Sequence, residues 1–253
     1  AIIQSPTDDE EIAICVECDV DASGGTLQDL EIVGGFYYAL SFETRWDWGE
    51  ADRSGASDMT VERCLIHHSG RDCIKIKPGC DRITIRDCEI HHSGAGYPAG
   101  TADDDKNAEG IDNVNGDGMI VSGCNLHDIA TTGIYFKGGA SGCRVDSCRI
   151  DNCGLGGVLI GFDTSPEYFD LSANPGYYEA IEGTVQNCII SCTAYAGIGL
   201  YASRDCLVAH NTLIDTASRG HAPLYFGITY QDWEPEALRP PNLNPRLINN
   251  LVS

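Results

Sequence analysis

Three ten-residue stretches near the middle of the chain align without a gap and decide the fold: MTVERCLIHH at residues 59–68, ITIRDCEIHH at residues 83–92 and MIVSGCNLHD at residues 119–128. Each stretch has an apolar residue three positions before a central cysteine and another two positions after it, with mostly polar residues between them. Alternation of apolar and polar residues is typical of a β-strand with one buried face. The stretches therefore predict short repeated strands that bury the same side.

The same pattern recurs along most of the chain. Four further segments carry it, at residues 25–34, 143–152, 183–192 and 206–215. Neighbouring central cysteines are 24 residues apart in two cases, and longer steps elsewhere indicate extra loops on alternate turns. Each segment is followed by a second short apolar segment, often introduced by glycine. A short unit repeated at this period indicates a solenoid, in which apolar residues stack turn upon turn.

The repeat resembles the right-handed parallel β-helix of the pectin-lyase-like superfamily, from about residue 25 to the end of the chain. The predicted fold is all-β: a single-stranded right-handed parallel β-helix, or solenoid, of about eight coils with long loops on alternate coils. We expect residues 1–253 to form one such domain, either alone or as part of a longer chain. The resemblance implies a secreted or cell-surface location and a carbohydrate-active enzyme, since such proteins often cleave uronate polysaccharides by β-elimination.

The charge and the apolar runs of the chain restrict its partners. The formal net charge is −22 at pH 7, whereas nucleic-acid binding relies on basic clusters. No apolar run approaches the roughly 18 residues of a membrane-spanning helix. We therefore expect neither a nucleic-acid partner nor a membrane span. With no initiator methionine and no signal-like segment, the sequence is typical of a mature chain or an excised domain.

The thirteen cysteines are an odd number, so they cannot all pair within the chain. The cysteines at the central positions of the repeat are interpreted as small buried residues. Side chains stacked in parallel point the same way, which is poor disulfide geometry. Two other pairs are candidate disulfides: Cys153 with Cys192, and Cys73 with Cys80.

Histidines form another column of the repeat. His67, His91 and His127 each follow the buried residue of the strand and are predicted to point outward. Stacked histidines at a spacing of one coil suit a metal ion, and they equally suit a solvated ladder.

Lysines concentrate on one predicted face. Alternation in the second strand of each coil places Lys75, Lys77 and Lys137 on the outer side, together with Asp112 and Tyr135. These are three of the four lysines in the chain, and the fourth lies in a loop that leads into this face. We therefore predict a functional groove here, although lysines on a strand surface also serve simply to limit aggregation.

The extra loops border the same face and contain aromatic side chains that suit stacking on sugar rings. Packing of these aromatic side chains onto the β-helix is the alternative interpretation. The predicted substrate-binding residues come from these loops and from the lysine face: Lys77, Arg45, Trp46, Trp48, Asp163 and Tyr201.

Carboxylates are densest in the loop that precedes Gly110. The predicted metal ligands are Glu109, Asp112, Asp103, Asp104 and Asp105. Oxygen ligands at this density suit Ca²⁺, although the spacing does not match an EF-hand loop. The competing interpretation is an acidic loop that is merely solvated.

The chemistry that the resemblance implies is β-elimination on an acidic polysaccharide. It needs a positive charge on the substrate carboxylate, a base that removes the proton at C5 and a proton donor for the leaving oxygen. We expect Lys137 or Lys75 to be the base, since a lysine near other cations has a lowered pKa. Ca²⁺ or the remaining lysine would bind the carboxylate, and Tyr135 is the candidate donor.

Two alternatives remain open at this point. A glycoside hydrolase would draw its acid and base from Asp112, Glu109 and Asp163. A non-catalytic β-helix would bind carbohydrate or form a surface fibre. An open end of a β-helix exposes unpaired backbone, which predicts that another chain or domain docks there.

Overall fold

The computed structural model describes residues 1–45, 54–229 and 238–253, and it confirms the predicted parallel β-helix. Successive short strands of the chain belong to different sheets in turn, and each strand pairs in parallel with the equivalent strand of the next coil. The described residues include two 3₁₀-helices, Asp103–Asp105 and Pro166–Tyr168, which are short segments in loops. No helix in the described ranges is long and apolar enough to cross a membrane.

We name the three main sheets after the side chains that they carry. The histidine sheet contains Ile2–Gln4, Glu31–Val33, Leu65–His67, Glu89–His91, Asn125–Ile129, Arg149–Cys153, Ile189–Thr193, Thr212–Ile214 and Leu251–Val252. The lysine sheet contains Ile14–Cys18, Tyr38–Phe42, Ile74–Ile76, Ile111–Val114, Ile134–Lys137, Val158–Ile160, Ile198–Tyr201 and Leu224–Gly227. The valine sheet contains Thr26–Gln28, Thr60–Glu62, Thr84–Arg86, Ile120–Ser122, Arg144–Asp146, Thr184–Gln186, Leu207–Ala209 and Arg246–Ile248. A small sheet pairs Ala140–Ser141, Ala180–Ile181 and Ser203–Arg204.

The predicted apolar columns are the core of the β-helix. In the histidine sheet Ile90 pairs with Ile66 on one side and Leu126 on the other, and all three side chains are completely buried. Strands with one buried face need such a column, because a slip of one residue would turn every apolar side chain outward. The hydrophobic pattern therefore fixes the register between coils.

Single residues in the left-handed conformation turn the chain from the valine sheet into the histidine sheet. Arg63, Asp87 and Ser147 have φ of 49°, 54° and 56°, and Gly123 occupies the same place with φ of 63°. Each precedes a central cysteine. The left-handed region is costly for most residues, so its recurrence at one position marks a corner that the coil geometry requires.

All thirteen cysteines lie in the described ranges, and each is a free thiol. The suggested disulfides are therefore absent. Cys153 is buried among core residues, whereas Cys192 is exposed and has a left-handed backbone conformation. One side chain therefore points into the β-helix and the other points to solvent. Cys73 accepts a hydrogen bond from Ser69, whereas the Cys80 thiol donates to the Phe42 carbonyl.

Candidate functional site

The stacking of coils brings the predicted lysine-face residues together. Asp112 pairs in register with Lys75 on one neighbouring strand and with Tyr135 on the other, and Val114 pairs with Lys137. The ammonium group of Lys75 contacts a carboxylate oxygen of Asp112, and Lys137 Nζ lies 3.6 Å from the other oxygen. Residues 37 and 25 positions from Asp112 in the sequence thus meet on one face.

A cluster of three buried carboxyl groups lies behind the two lysines. Asp72, Glu109 and Asp112 each place an oxygen within 4.8 Å of the others. Asp72 Oδ1 accepts a hydrogen bond from the Glu109 N–H at 3.0 Å, and Glu109 Oε1 accepts one from the Thr131 hydroxyl at 3.1 Å. The second oxygens of Asp72 and Glu109, and Asp112 Oδ1, have no hydrogen-bond partner among the described residues. We call this group the carboxyl cluster.

The environment separates the protonation states within the carboxyl cluster. Burial, together with the charges of Asp72 and Asp112, raises the pKa of Glu109 well above its usual value. Burial has the same effect on Asp112, but the ammonium groups of Lys137 and Lys75 outweigh it and hold the pKa of Asp112 below its usual value. Within the cluster Glu109 is therefore the group that retains a proton most readily, and Asp112 is the group that most readily ionises.

The predicted lowering of the pKa is wrong for Lys75. Burial does lower the pKa of this amine, but the charges of Asp112 and Asp72 outweigh it and raise the pKa above its usual value. Lys75 also lies 3.7 Å from Asp72 Oδ2. An ammonium held by two carboxylates keeps its proton, so Lys75 is suited to holding negative charge in place and unsuited to acting as a base.

Lys137 and Tyr135 lie side by side on the strand Ile134–Lys137. The Lys137 ammonium is 4.4 Å from the centre of the Tyr135 ring. Burial raises the pKa of the Tyr135 phenol well above its usual value, so this hydroxyl is protonated and available as a donor. Alternation predicted that Tyr135 points outward, and it does face a cavity, although its side chain is almost completely covered.

Two adjoining cavities form a groove along the lysine sheet. They have volumes of about 580 and 550 Å³ and share Asn107, Lys137 and Asp163. The first, which we call the aromatic cavity, is lined by residues that include Tyr135, Leu159, Phe162, Tyr195 and Tyr201. The second, the polar cavity, is lined by residues that include Tyr38, Glu43, Lys75, Lys77 and Asp112. Lys137 therefore lies where the two cavities meet.

The predicted substrate-binding residues fall into three groups. Asp163 and Tyr201 line the groove, and so does Lys77, which contacts Glu43 at 2.5 Å. Arg45 donates to Asp21 at 2.9 Å on the exposed surface and does not line either cavity. The predictions for Trp46 and Trp48 lie outside the described residues.

The predicted metal-binding set is only partly brought together. Glu109 and Asp112 belong to the carboxyl cluster, but among the described residues Asp103, Asp104 and Asp105 join no group that could hold a metal ion. They form a 3₁₀-helix, where Asp103 pairs with Lys106 at 3.1 Å. The structure does not group the loop aspartates with Glu109 and Asp112, because neighbouring positions along a loop need not direct their side chains to one point. The third member of the carboxyl cluster is Asp72, which was not predicted as a ligand from the sequence. Ile74 pairs with Ile111 on the next coil, so the residues two positions earlier, Asp72 and Glu109, also lie side by side.

A buried ion pair positions the loops beside Lys137 and Asp163. The Glu179 carboxylate accepts hydrogen bonds from the Gly138 N–H, from both the N–H and the hydroxyl of Thr164, and from Arg239 Nε at 2.7 Å. Both charged side chains are completely buried. Glu179 thus connects the turn after Lys137 to the loop after Asp163.

The chain matches the model of the right-handed β-helix region family over residues 51–230. This match covers more than half of the chain, so the chain belongs to this family. No curated protein matches it.

Solved structures with the same fold include several polysaccharide enzymes. An alginate lyase from Paenibacillus sp. FPU-7 has a TM-score of 0.58 at 14% identity over 95% of this chain and 75% of that one. The mannuronan C-5 epimerase AlgE4 A-module of Azotobacter vinelandii has a TM-score of 0.56 at 16% identity over 90% and 62%. A periplasmic alginate epimerase, AlgG with the T265N substitution, has a TM-score of 0.61 at 13% identity over 90% and 50%. At these identities the likeness establishes the shared fold.

Replacement of Arg239 tests the architecture of the groove. Arg239→Met leaves the Glu179 carboxylate buried without its cation, so the free energy of unfolding should fall by about 3–5 kcal/mol. The measurement is urea unfolding followed by circular dichroism. Arg82→Met is the matched control, because Arg82 and Asp58 form an exposed pair, and its midpoint should stay unchanged. Equal effects of the two substitutions would contradict a buried pair.

Proposed function

We propose that the chain is a polysaccharide lyase that cleaves an acidic, uronate-containing glycan by β-elimination in the groove of the lysine sheet. The observation that carries this proposal is the position of Lys75, Lys77 and Lys137 along the floor of a groove whose cavities suit sugar units. A chain with a net charge of −22 repels a polyanion in general. An acidic glycan could therefore bind only where local ammonium groups offset this repulsion, as the lysines of the groove would do.

Lys137 is the proposed base. Its amine lies at the junction of the two cavities, where a glycosidic bond between two bound sugar units would be placed. The Lys137 amine removes the C5 proton, and electrons move into the C4–C5 bond as the bond from C4 to the leaving oxygen breaks. The protonated phenol of Tyr135 gives its proton to that oxygen. In this scheme Lys75 binds the substrate carboxylate and holds Asp112 in place.

The aromatic cavity is the proposed site for the sugar unit next to the cleaved bond. The Tyr201 and Phe162 rings are perpendicular, with centroids 5.3 Å apart, and the Tyr135 and Phe162 centroids are 5.5 Å apart. Such rings offer apolar faces with a polar rim, which suits the apolar face of a pyranose ring. Asp163 lies between the two cavities and is the proposed partner for sugar hydroxyl groups.

The carboxyl cluster is the proposed Ca²⁺ site, and Glu109 would give up its proton when the ion binds. Its three buried side chains offer oxygen ligands that lack hydrogen-bond donors among the described residues, and oxygen is the ligand that Ca²⁺ prefers. Asp72, Glu109 and Asp112 would hold the ion. When bound, it would supply positive charge that acidifies the proton next to the substrate carboxylate.

A glycoside hydrolase is the second candidate function. The observation that favours it is the opposite direction of the pKa shifts of Glu109 and Asp112, since environments that push two carboxyl pKa values apart suit an acid and a base. Glu109 lines the aromatic cavity and Asp112 lines the polar cavity. A hydrolase would produce new reducing ends without an unsaturated sugar.

A secreted or cell-surface location accompanies this proposal, because polymeric glycans of this class are substrates outside the cell. One of the similar structures is named as a periplasmic enzyme. The thiols of the central cysteine column are buried, which protects them from oxidation in such an environment.

Substitution of Lys137 tests the proposed base. We expect Lys137→Ala to lower kcat on pectate or alginate by roughly 10²–10⁴-fold, the usual contribution of a general base. Lys137→Arg keeps the positive charge but cannot release its proton, so it should bind substrate and fail in turnover. The measurement is the ultraviolet absorbance of the unsaturated uronide, with reducing ends measured in parallel.

Other results of the same assay would reject the lyase. Reducing ends without an unsaturated product would support the hydrolase, and no product across a panel of acidic glycans would support a non-catalytic β-helix. Full activity of Lys137→Arg would show that Lys137 contributes only charge.

Thermal unfolding tests the carboxyl cluster as a Ca²⁺ site without relying on activity. An ion that binds only the folded chain raises Tm, so Ca²⁺ should raise the Tm of the wild-type chain and a chelator should reverse the rise. Asp72→Asn keeps the shape of the side chain and removes one ligand charge, so it should lose this response. An equal Tm rise in Asp72→Asn would contradict the assignment.

A further inference from the structure

The outer surface of the histidine sheet carries five of the seven histidines of the chain, in two stacked columns. One column contains His67, His91 and His127, and the other contains His68 and His92. Ring centroids of His67 and His91 are 4.7 Å apart with planes 4° from parallel, and those of His68 and His92 are 4.8 Å apart with planes 5° from parallel. These columns lie on a different sheet from the lysine groove, and the proposed function does not use them.

In each of two neighbouring coils, two consecutive histidines approach each other with their Nδ1 atoms. The Nδ1 atoms of His67 and His68 are 2.7 Å apart, and the Nδ1 atoms of His91 and His92 are also 2.7 Å apart. His68 and His92 both have φ of 53°, and this left-handed turn at the end of the strand allows the second ring to face the first. Four ring nitrogens therefore converge on one small region of the surface.

The surroundings of His67 fix its tautomer. His67 Nε2 lies 3.3 Å from a carboxylate oxygen of Glu31. A carboxylate only accepts hydrogen bonds, so the proton of the neutral imidazole is on Nε2 and a lone pair is on Nδ1. A histidine that donates to a carboxylate through one nitrogen while the other nitrogen presents a lone pair is the arrangement typical of metal-binding histidines.

We propose that His67, His68 and His91 bind a divalent transition-metal ion, with Zn²⁺ as the representative ion. One nitrogen from each ring lies within 4.8 Å of the other two. Two nitrogen ligands of a tetrahedral Zn²⁺ are roughly 3.4 Å apart, given Zn–N bonds of roughly 2.0–2.1 Å. Small rotations of partly exposed rings close this difference. Imidazole suits Zn²⁺, Cu²⁺ and Ni²⁺, whereas Ca²⁺ prefers oxygen.

The far end of the column is unsuited to the ion. His127 faces a carboxylate through each nitrogen, with Nε2 3.1 Å from Glu89 and Nδ1 2.8 Å from Asp128. Two acceptors favour a ring that donates from both nitrogens, and such an imidazolium has no lone pair for a metal. The proposed ion therefore lies between the coils of His67 and His91. The His127 ring stacks on His91 and does not bind the ion.

Calorimetric titration of the full chain with Zn²⁺, in excess Ca²⁺ and a reducing agent that does not bind metal, tests this site. We expect one Zn²⁺ per chain. His91→Gln should weaken binding at least tenfold, because it removes a ligand. Glu31→Gln should weaken it by roughly 10–100-fold, the usual effect of losing a carboxylate that orients a metal-binding histidine. Circular dichroism and Tm check that each variant is folded.

Two matched controls separate this site from other zinc ligands. His210→Asn changes a histidine outside the columns, and Cys192→Ser removes the exposed thiol. Both variants should bind Zn²⁺ with unchanged affinity. Absence of binding to the wild-type chain would overturn the proposal. So would an unchanged affinity in His91→Gln, or a loss of binding in Cys192→Ser.

Discussion

The register between successive coils is the constraint on which the rest of this molecule depends. Ile66, Ile90 and Leu126 stack in one completely buried column, and a slip of one residue would expose all of them. This column fixes the position of every outward side chain as well. The same register therefore builds the lysine groove on one sheet and the histidine columns on another.

The fold could be predicted from sequence because the apolar columns repeat at short, regular steps. Alternation within each strand also placed Lys75, Asp112 and Lys137 on one face, and the structure brings these three side chains into contact. Such predictions need only the direction of side chains along a strand and the pairing of equivalent positions. Pairing of equivalent positions also predicted the column of His67, His91 and His127, and in the structure these three rings are stacked.

The electrostatics and the loops could not be predicted in the same way. The pKa of Lys75 depends on Asp72, which lies before the strand and joins the carboxyl cluster only through the pairing of the next coil. Asp103 lies close to Glu109 in sequence, but a loop has no repeated pattern to fix its side chains, and it pairs with Lys106 instead. The predicted disulfide between Cys153 and Cys192 is absent, because sequence spacing does not show that Cys192 points to solvent while Cys153 points into the core. The buried pair of Glu179 and Arg239 joins residues 60 apart that belong to no repeat.

A double-mutant cycle between Lys75 and Asp112 tests the register most directly. The free energy of unfolding is measured for the wild-type chain, Lys75→Met, Asp112→Asn and the double variant. Because adjacent coils place these charges in contact on a covered surface, the account predicts a coupling of at least about 1 kcal/mol. Effects that add to within about 0.5 kcal/mol would show that the two side chains do not meet, and the stacking on which the groove depends would be wrong.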